Sequence, residues 1–344
     1  VTPRIRIGIV NDQPLATAVL RRIVASDREL EIAWSAIDGA EAIDRCRRDL
    51  PDIVLMDLIM PNVDGITATR RIMAETPCPI LVVSATVGGD MSRVYDAMGA
   101  GALDAVVTPQ ARGAEADADS RALLRKIHTI HTLNGGRRVT PITASPTPLQ
   151  NAAAVSPILA IGASTGGPSA IETILKRLPE RFPAAIVVIQ HIDSHFVDGF
   201  ADWLGSRTRL PVRLAKANDL PLAGTVLVAN ASAHLSLGAG GRLVYVDAPE
   251  ALYQPSVDIF FNSLARRGPR GSCGVLLTGL GRDGAAGLLA LRQSGYETIA
   301  QDQATSVVFG MPGAAVEIGA AKRIRPIQAI ADELIQLYPE RKLS

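Results

Sequence analysis

Short apolar runs alternate with amphipathic stretches along almost the whole chain. In the first third the runs are Ile5–Val10, Ile32–Trp34, Ile53–Met56, Ile80–Ser84 and Asp104–Val107. Between them, near residues 14–26, 39–48, 64–76 and 90–99, apolar positions recur at helical spacing. Leu123, Leu124, Ile127 and Ile130 form one face of a closing helix. Such repetition predicts a parallel sheet with helices on both faces. Residues 133–154 break the pattern. Gly135, Gly136, Pro141, Pro146 and Pro148 stand there among Thr, Ser and Ala, a composition that predicts a linker. From Ser156 the alternation resumes, with runs near 158–161, 185–190, 225–229, 243–246, 273–278 and 298–300. The helical segments fall near 168–178, 197–206, 256–266, 283–294 and 327–337. Gly238-Ala-Gly240-Gly241 separates His234–Leu237 from Leu243–Val246 and predicts a β-hairpin, so part of this second sheet is expected to be antiparallel. The expected architecture is α/β, with two doubly wound domains at 1–132 and 155–344 joined by the 133–154 linker.

Composition narrows the function classes. The 344 residues are comfortable for two domains. A net charge of +1 provides no strong field for nucleic acid or an anionic membrane. Aromatic residues make up only 4%, which leaves little for stacking on exposed bases. No apolar run reaches the roughly 18 residues of a membrane span, and the first residues read as neither signal nor transit peptide. A cytoplasmic protein with no nucleic-acid partner and no membrane insertion is expected. Cys46, Cys78 and Cys273 are odd in number and lie in apolar contexts. They read as reduced core residues rather than disulfides or metal ligands.

The candidate chemistry sits at strand ends. Asp57 follows the apolar run Ile53–Met56, and Asp12 follows Ile9-Val10 closely. Two carboxylates at neighbouring strand ends make a hard oxygen site suited to Mg²⁺, beside which one of them can attack a phosphoryl donor. Ser84, ending a third strand, can hydrogen-bond a phosphoryl oxygen. Read singly, Asp12 and Asp57 are equally well helix caps or turn formers. In the second half, Ser164 lies in Gly162-Ala-Ser164-Thr-Gly166, a match to the G-x-S-x-G turn that exposes a nucleophile. The same glycine-rich turn before a helix could instead cradle an anion or nucleotide, although it lacks the G-x-G-x-x-G and P-loop spacings. A serine alcohol needs a base, and His191, His195 and His234 are available, with His128 and His131 before the linker. His191 stands out because it ends the strand Ala185–Gln190. Asp283, beyond the run ending at Thr278, could orient that base or simply cap the next helix. The order Ser, His, Asp departs from the usual α/β-hydrolase order, which disfavours a conventional lipase or esterase fold.

Two resemblances follow from these residues. Val10-Asn-Asp12, Val54-Leu-Met-Asp57 through Pro61 and Gly65, and Val82-Val-Ser84-Ala resemble response-regulator receiver domains. The resemblance implies a five-stranded parallel, flavodoxin-like domain. It also implies Asp57 as phosphoacceptor, Asp12 with Asp57 as Mg²⁺ ligands, and Ser84 as the switch hydroxyl. Three positions depart from the family. Asn11 replaces a second acid, Thr108 replaces the usual lysine, and Ala105 replaces the switch aromatic. Ala160-Ile-Gly-Ala-Ser164-Thr-Gly-Gly-Pro168, Gln190-His191, Leu277-Thr-Gly-Leu280-Gly-Arg-Asp283-Gly-Ala285 and Val308-Phe-Gly-Met-Pro312 resemble CheB-type chemotaxis protein-glutamate methylesterases. That resemblance implies a mostly parallel α/β methylesterase domain. It implies Ser164 as nucleophile, His191 as base and Asp283 as its orienting acid, with Thr165 and Leu280 in the oxyanion loops. It further implies a methyl-accepting chemoreceptor as substrate, glutamine deamidation as a second activity, and a CheA-type histidine kinase as phosphoryl donor. Mg²⁺ would serve phosphorylation, and no cofactor would serve ester hydrolysis. Gln190-His-Ile-Asp-Ser-His-Phe with Ala201-Asp-Trp203-Leu looks most like the Wsp-type branch. A non-catalytic signalling adaptor and a nucleotide-binding enzyme are the competing classes.

Overall fold

The computed structural model describes residues 4–84, 92–110, 116–134, 156–249, 251 and 253–339. The chain divides into two compact units, Val1–Val139 and Thr140–Ser344. The expected linker at 133–154 lies outside the described residues except for its first two positions, which end a helix.

In the first unit five strands, β1 (Ile5–Val10), β2 (Leu30–Ala36), β3 (Ile53–Met56), β4 (Ile80–Ser84) and β5 (Asp104–Val107), alternate with helices. The helices are α1 (Pro14–Ser26), α2 (Gly39–Arg48), α3 (Gly65–Glu75), α4 (Ser92–Gly99) and α5 (Ala116–Asn134). The strand order is β2-β1-β3-β4-β5, and every pairing is parallel. β3 is buried throughout, as a central strand covered on both faces must be. Leu123, Ile127 and Ile130 of α5 join the core beside β1 and β3, as their spacing predicts. Asp38 and Asp64 start α2 and α3 by accepting the N–H groups of Glu41 and Thr67. The order reverses between β1 and β3, so the loops after those two strands flank the switch-point crevice.

In the second unit seven strands form one parallel sheet, in the order β14-β13-β12-β6-β7-β9-β8. They are β6 (Ile158–Ala163), β7 (Ala185–Gln190), β8 (Val212–Leu214), β9 (Val226–Val228), β12 (Cys273–Leu276), β13 (Glu297–Gln301) and β14 (Arg323–Arg325). The helices are α6 (Gly167–Leu175), α7 (Val197–Arg207), α8 (Val257–Arg267), α9 (Ala285–Gln293), α10 (Met311–Glu317) and α11 (Ile327–Leu337). β6 and β7 are buried at every position, which is why they read as unbroken apolar runs. β10 (His234–Leu237) and β11 (Leu243–Val246) pair antiparallel, as the glycine turn predicts. They stand as a separate two-stranded sheet, which corrects the expectation of an antiparallel part in the main sheet. β10 packs on α8, with the Leu237 N–H bound to the Ser263 hydroxyl, and this holds the ribbon apart. The chain enters at central β6, builds out to β8, then returns to β12 on the other side of β6. The switch point therefore lies between β6 and β12. No described helix is long and apolar enough to cross a membrane. Cys46, Cys78 and Cys273 are buried and free.

Candidate active site

Parallel pairing brings the expected residues together. Ala163 at the end of β6 registers with Gln190 at the end of β7. The next residues, Ser164 and His191, therefore leave adjacent strand ends side by side, and the His191 N–H bonds the Ala163 carbonyl at 3.0 Å. On the other flank, the Ser164 N–H donates to the Thr278 carbonyl at 3.1 Å. Gly279 packs so tightly that a Cβ there would lie 2.8 Å from the Ser164 Cβ. Ser164 is 8% exposed, at the edge of the crevice. The turn after it uses Gly166 at φ +75°, a conformation that side chains disfavour. The Gly167 N–H turns back to the Ser164 carbonyl at 2.8 Å, so that donor is not free for an anion.

Asp283 is held from three sides. Its Oδ1 accepts the Ser256 hydroxyl at 2.9 Å and the Asp258 N–H at 3.0 Å. Its Oδ2 accepts the Val257 N–H at 2.7 Å and lies 2.7 Å from His191 Nε2. The carboxylate thus sits at the start of α8, whose dipole and free N–H groups favour negative charge. It does not cap its own helix: Gly284 is the residue before α9. Burial pushes the Asp283 carboxyl up, but the hydrogen bond and charge of His191 outweigh this and hold it below its ordinary value. His191 Nδ1 is buried without a protein partner.

The other histidines are engaged elsewhere. His234 is buried, and its Nδ1 accepts the Ser256 N–H at 3.1 Å. His195 is exposed and bound to Asp193 at 2.6 Å. His128 and His131 lie on α5 of the first unit. Among the described residues, neither the Thr165 nor the Leu280 N–H is paired with a backbone carbonyl.

In the first unit Asp12 and Asp57 stand in the loops flanking the switch point. Asp57 Oδ1 accepts the Leu58 N–H at 2.7 Å, and its Oδ2 accepts the Asn11 amide at 3.0 Å. Burial, with a smaller contribution from the Asp12 charge, pushes the Asp57 carboxyl up despite those backbone donors. The repulsion between the Asp12 and Asp57 charges is of the kind that a divalent cation relieves. Asn11 lends Asp57 a donor instead of adding a third charge. Gly65 is required here because a Cβ would lie 2.0 Å from the Asp57 carbonyl oxygen. Ser84 ends β4, and its carbonyl accepts the Thr108 N–H at 2.9 Å. Ala105 is buried in β5, and its carbonyl accepts Lys126 from α5.

Comparison with known proteins settles the family. The sequence profile described as CheB methylesterase matches residues 159–334, and the response regulator receiver domain matches residues 7–114. A Burkholderia thailandensis protein-glutamate methylesterase/protein-glutamine glutaminase is 52% identical over 340 residues, covering 98% of both chains. The chain belongs to the CheB methylesterase family. A Cupriavidus metallidurans relative of the same description is 51% identical and spans 96% of this chain and 97% of its own. The Thermotoga maritima CheB methylesterase catalytic domain, solved by crystallography, superposes with a TM-score of 0.51 at 35% identity. It covers 54% of this chain and all of that one.

Several residues of this CheB-family site escape sequence reasoning. Gln190 donates its amide to the Ser164 carbonyl at 2.8 Å and the His191 carbonyl at 2.9 Å, tying the Ser164 and His191 turns together. Its signal was present: a polar residue ends a strand buried at every position. Ser256 and Asp258 carry no such signal, because only the packing of α8 brings them to Asp283. Asp258 is partly buried, and its Oδ1 accepts the Gly287 N–H at 2.6 Å. Burial, then the Asp283 charge, pushes its carboxyl from 3.8 up to about 7. A raised folded value means that its stabilising contribution is full below the unfolded value and is lost as pH rises through about 7. Asp258→Asn, which keeps an acceptor for Gly287, is therefore expected to raise the melting temperature of the esterase unit. The gain should be larger at pH 8 than at pH 5. Melts showing an equal or smaller gain at pH 8 would refute this.

Proposed function

We propose that this chain hydrolyses the γ-methyl esters of methylated glutamates on methyl-accepting chemoreceptors, using Ser164, His191 and Asp283, under control of phosphorylation at Asp57. The observation that carries the reading is the ring of His191, whose side chain is 9% exposed. One nitrogen is fixed by Asp283, and the other is unpaired beside the strand end that bears Ser164. The substrate class comes from relatives named for glutamate methylester hydrolysis and glutamine deamidation.

The 2.7 Å contact between His191 Nε2 and Asp283 supports one assignment of the ring nitrogens. Asp283 accepts Nε2–H, which leaves the Nδ1 lone pair as base, the reverse of ring use in the serine-protease template. Ser164 Oγ attacks the ester carbonyl carbon while its proton passes to Nδ1. The tetrahedral oxyanion is met by the N–H groups of Thr165 and Leu280, a role to which the leucine side chain is indifferent. Nδ1–H then protonates the departing methoxide, and methanol leaves. Water, deprotonated by Nδ1, cleaves the glutamyl-serine ester and restores both glutamate and enzyme. A glutamine side chain would follow the same course with ammonia as the poorer leaving group. This half needs no metal.

In the receiver, Asp57 takes the phosphoryl group. Asp12 and Asp57 would hold Mg²⁺, which supplies neutralisation of the phosphoryl charge. Asn11 keeps one Asp57 oxygen hydrogen-bonded, and Ser84 is placed at the neighbouring strand end for a phosphoryl oxygen. Thr108 offers no cation there. The donor is a CheA-type histidine kinase, the protein works in the cytoplasm, and the Wsp-type branch is our assignment of pathway.

The test is methanol release from a methylated chemoreceptor, with and without a small phosphoryl donor and Mg²⁺. The donor should raise the rate several-fold in wild type and leave Asp57→Asn unmoved. Release that ignores the donor in wild type would remove phosphorylation control and leave the esterase standing.

A further inference from the structure

One ring contact in the esterase unit has no part in the triad. The Tyr253 ring lies parallel to the His191 imidazole, with centroids 4.7 Å apart and planes inclined by 1°. Its hydroxyl end rests on Gly281, where a Cβ would lie 2.4 Å from the phenol oxygen. Gly281 precedes Asp283 by two residues, and Tyr253 precedes Ser256, the hydroxyl donor to Asp283, by three. The tyrosine segment is thus fixed to the acid's loop at two points.

A single hydrogen bond at Nε2 leaves an imidazole free to tilt about that bond. With Nδ1 unpaired, no hydrogen bond on the ring's other edge opposes the motion. A parallel aromatic face does, because tilting drives one ring edge into the other. The same face carries the negative potential of the aromatic quadrupole, which favours a cation stacked over it. His191 becomes such a cation each time it takes the serine proton.

We propose that Tyr253 is a positioning residue of the esterase: its ring holds the His191 imidazole in the plane that joins Asp283 to Ser164 and favours the imidazolium. This rests on the reading of Ser164, His191 and Asp283 as the catalytic set. The face does the work, so a phenylalanine suffices and an aliphatic side chain of comparable bulk does not.

The experiment uses the full chain and a methylated chemoreceptor. In Tyr253→Leu, kcat is expected to fall about 10- to 100-fold, the scale of a small misplacement of a reacting group, while KM stays within about twofold. Tyr253→Phe should restore kcat to within about twofold of wild type. A Leu variant with wild-type kcat overturns the proposal. So does a Phe variant as slow as the Leu variant, which would give the role to the hydroxyl. A second readout does not depend on activity. The imidazole C–H proton resonances of His191, identified by their loss in His191→Gln, should be ring-current shifted in wild type and in Tyr253→Phe. They should return toward ordinary histidine positions in Tyr253→Leu, with circular dichroism showing a folded protein. Resonances that do not move between wild type and Tyr253→Leu overturn the stacking itself. Ser164→Ala, run in parallel, separates the two levels. Full hydrolysis in that variant sinks the catalytic set, and the proposal with it, whatever the resonances show.

Discussion

Ser164→Ala is expected to lower kcat for ester hydrolysis by at least about 10⁴-fold, with KM little changed. The size follows from what the hydroxyl does, since without it His191 has no nucleophile to deprotonate and no glutamyl-serine ester can form. The specificity follows from what it does not do. The hydrogen bonds that Ser164 lends to the turn all belong to its backbone: its N–H to Thr278, and its carbonyl from Gly167 and Gln190. Losing one Oγ leaves that frame in place, so stability should change by no more than about 0.5 kcal/mol. Rate constants and thermal melts on one preparation check both halves. A variant that keeps more than about a hundredth of the wild-type rate contradicts the nucleophile assignment. A variant that is inactive and unfolded would show instead that the turn needs the side chain.

Asp283→Asn has the second largest expected effect, a fall in kcat of about 10³–10⁴-fold. The carboxylate is acceptor-only, and four donors converge on it: Ser256 Oγ, the Val257 and Asp258 N–H groups, and His191 Nε2. An amide turns one acceptor into a donor. If the NH₂ faces His191, the ring must present a lone pair at Nε2 and its proton at Nδ1, which removes the base. Either placement opposes an N–H at the start of α8, that of Val257 in place of Oδ2 or that of Asp258 in place of Oδ1, at a cost of about 1–3 kcal/mol in stability. The variant should therefore be both slow and less stable. Steady-state kinetics at saturating receptor, together with melts, test this. A kcat within tenfold of wild type would reduce Asp283 to a fastener for α8.

The outcome at each position shows which information lies along the chain and which lies across it. The placement of Ser164, His191 and Asp57 beyond strand ends was legible because each follows an apolar run, and a parallel sheet gathers such run ends on one edge. Asp283 was legible as a candidate, but its partners were not. Its place at the start of α8 depends on how that helix crosses the sheet. Tyr253 and Ser256 are polar residues in a loop, and the loop's own pattern does not say which ring or carboxylate it will meet. β8 and β14 were missed because three-residue edge strands leave no run to read, and α10 because Pro312 and Gly313 obscure its start. The hairpin was read correctly from its turn and placed in the wrong sheet, since register is local and sheet membership is tertiary. In the receiver, Asn11 was read as a missing charge. The structure adds that its amide occupies an Asp57 oxygen.

The most direct measurement of the central claim is the release of labelled methanol from a chemoreceptor carrying labelled glutamate methyl esters. Wild type is predicted to release the label and leave glutamate at the same positions, and Ser164→Ala to release none above background. No release by wild type from a receptor confirmed to be methylated, or equal release by the variant, would contradict the account.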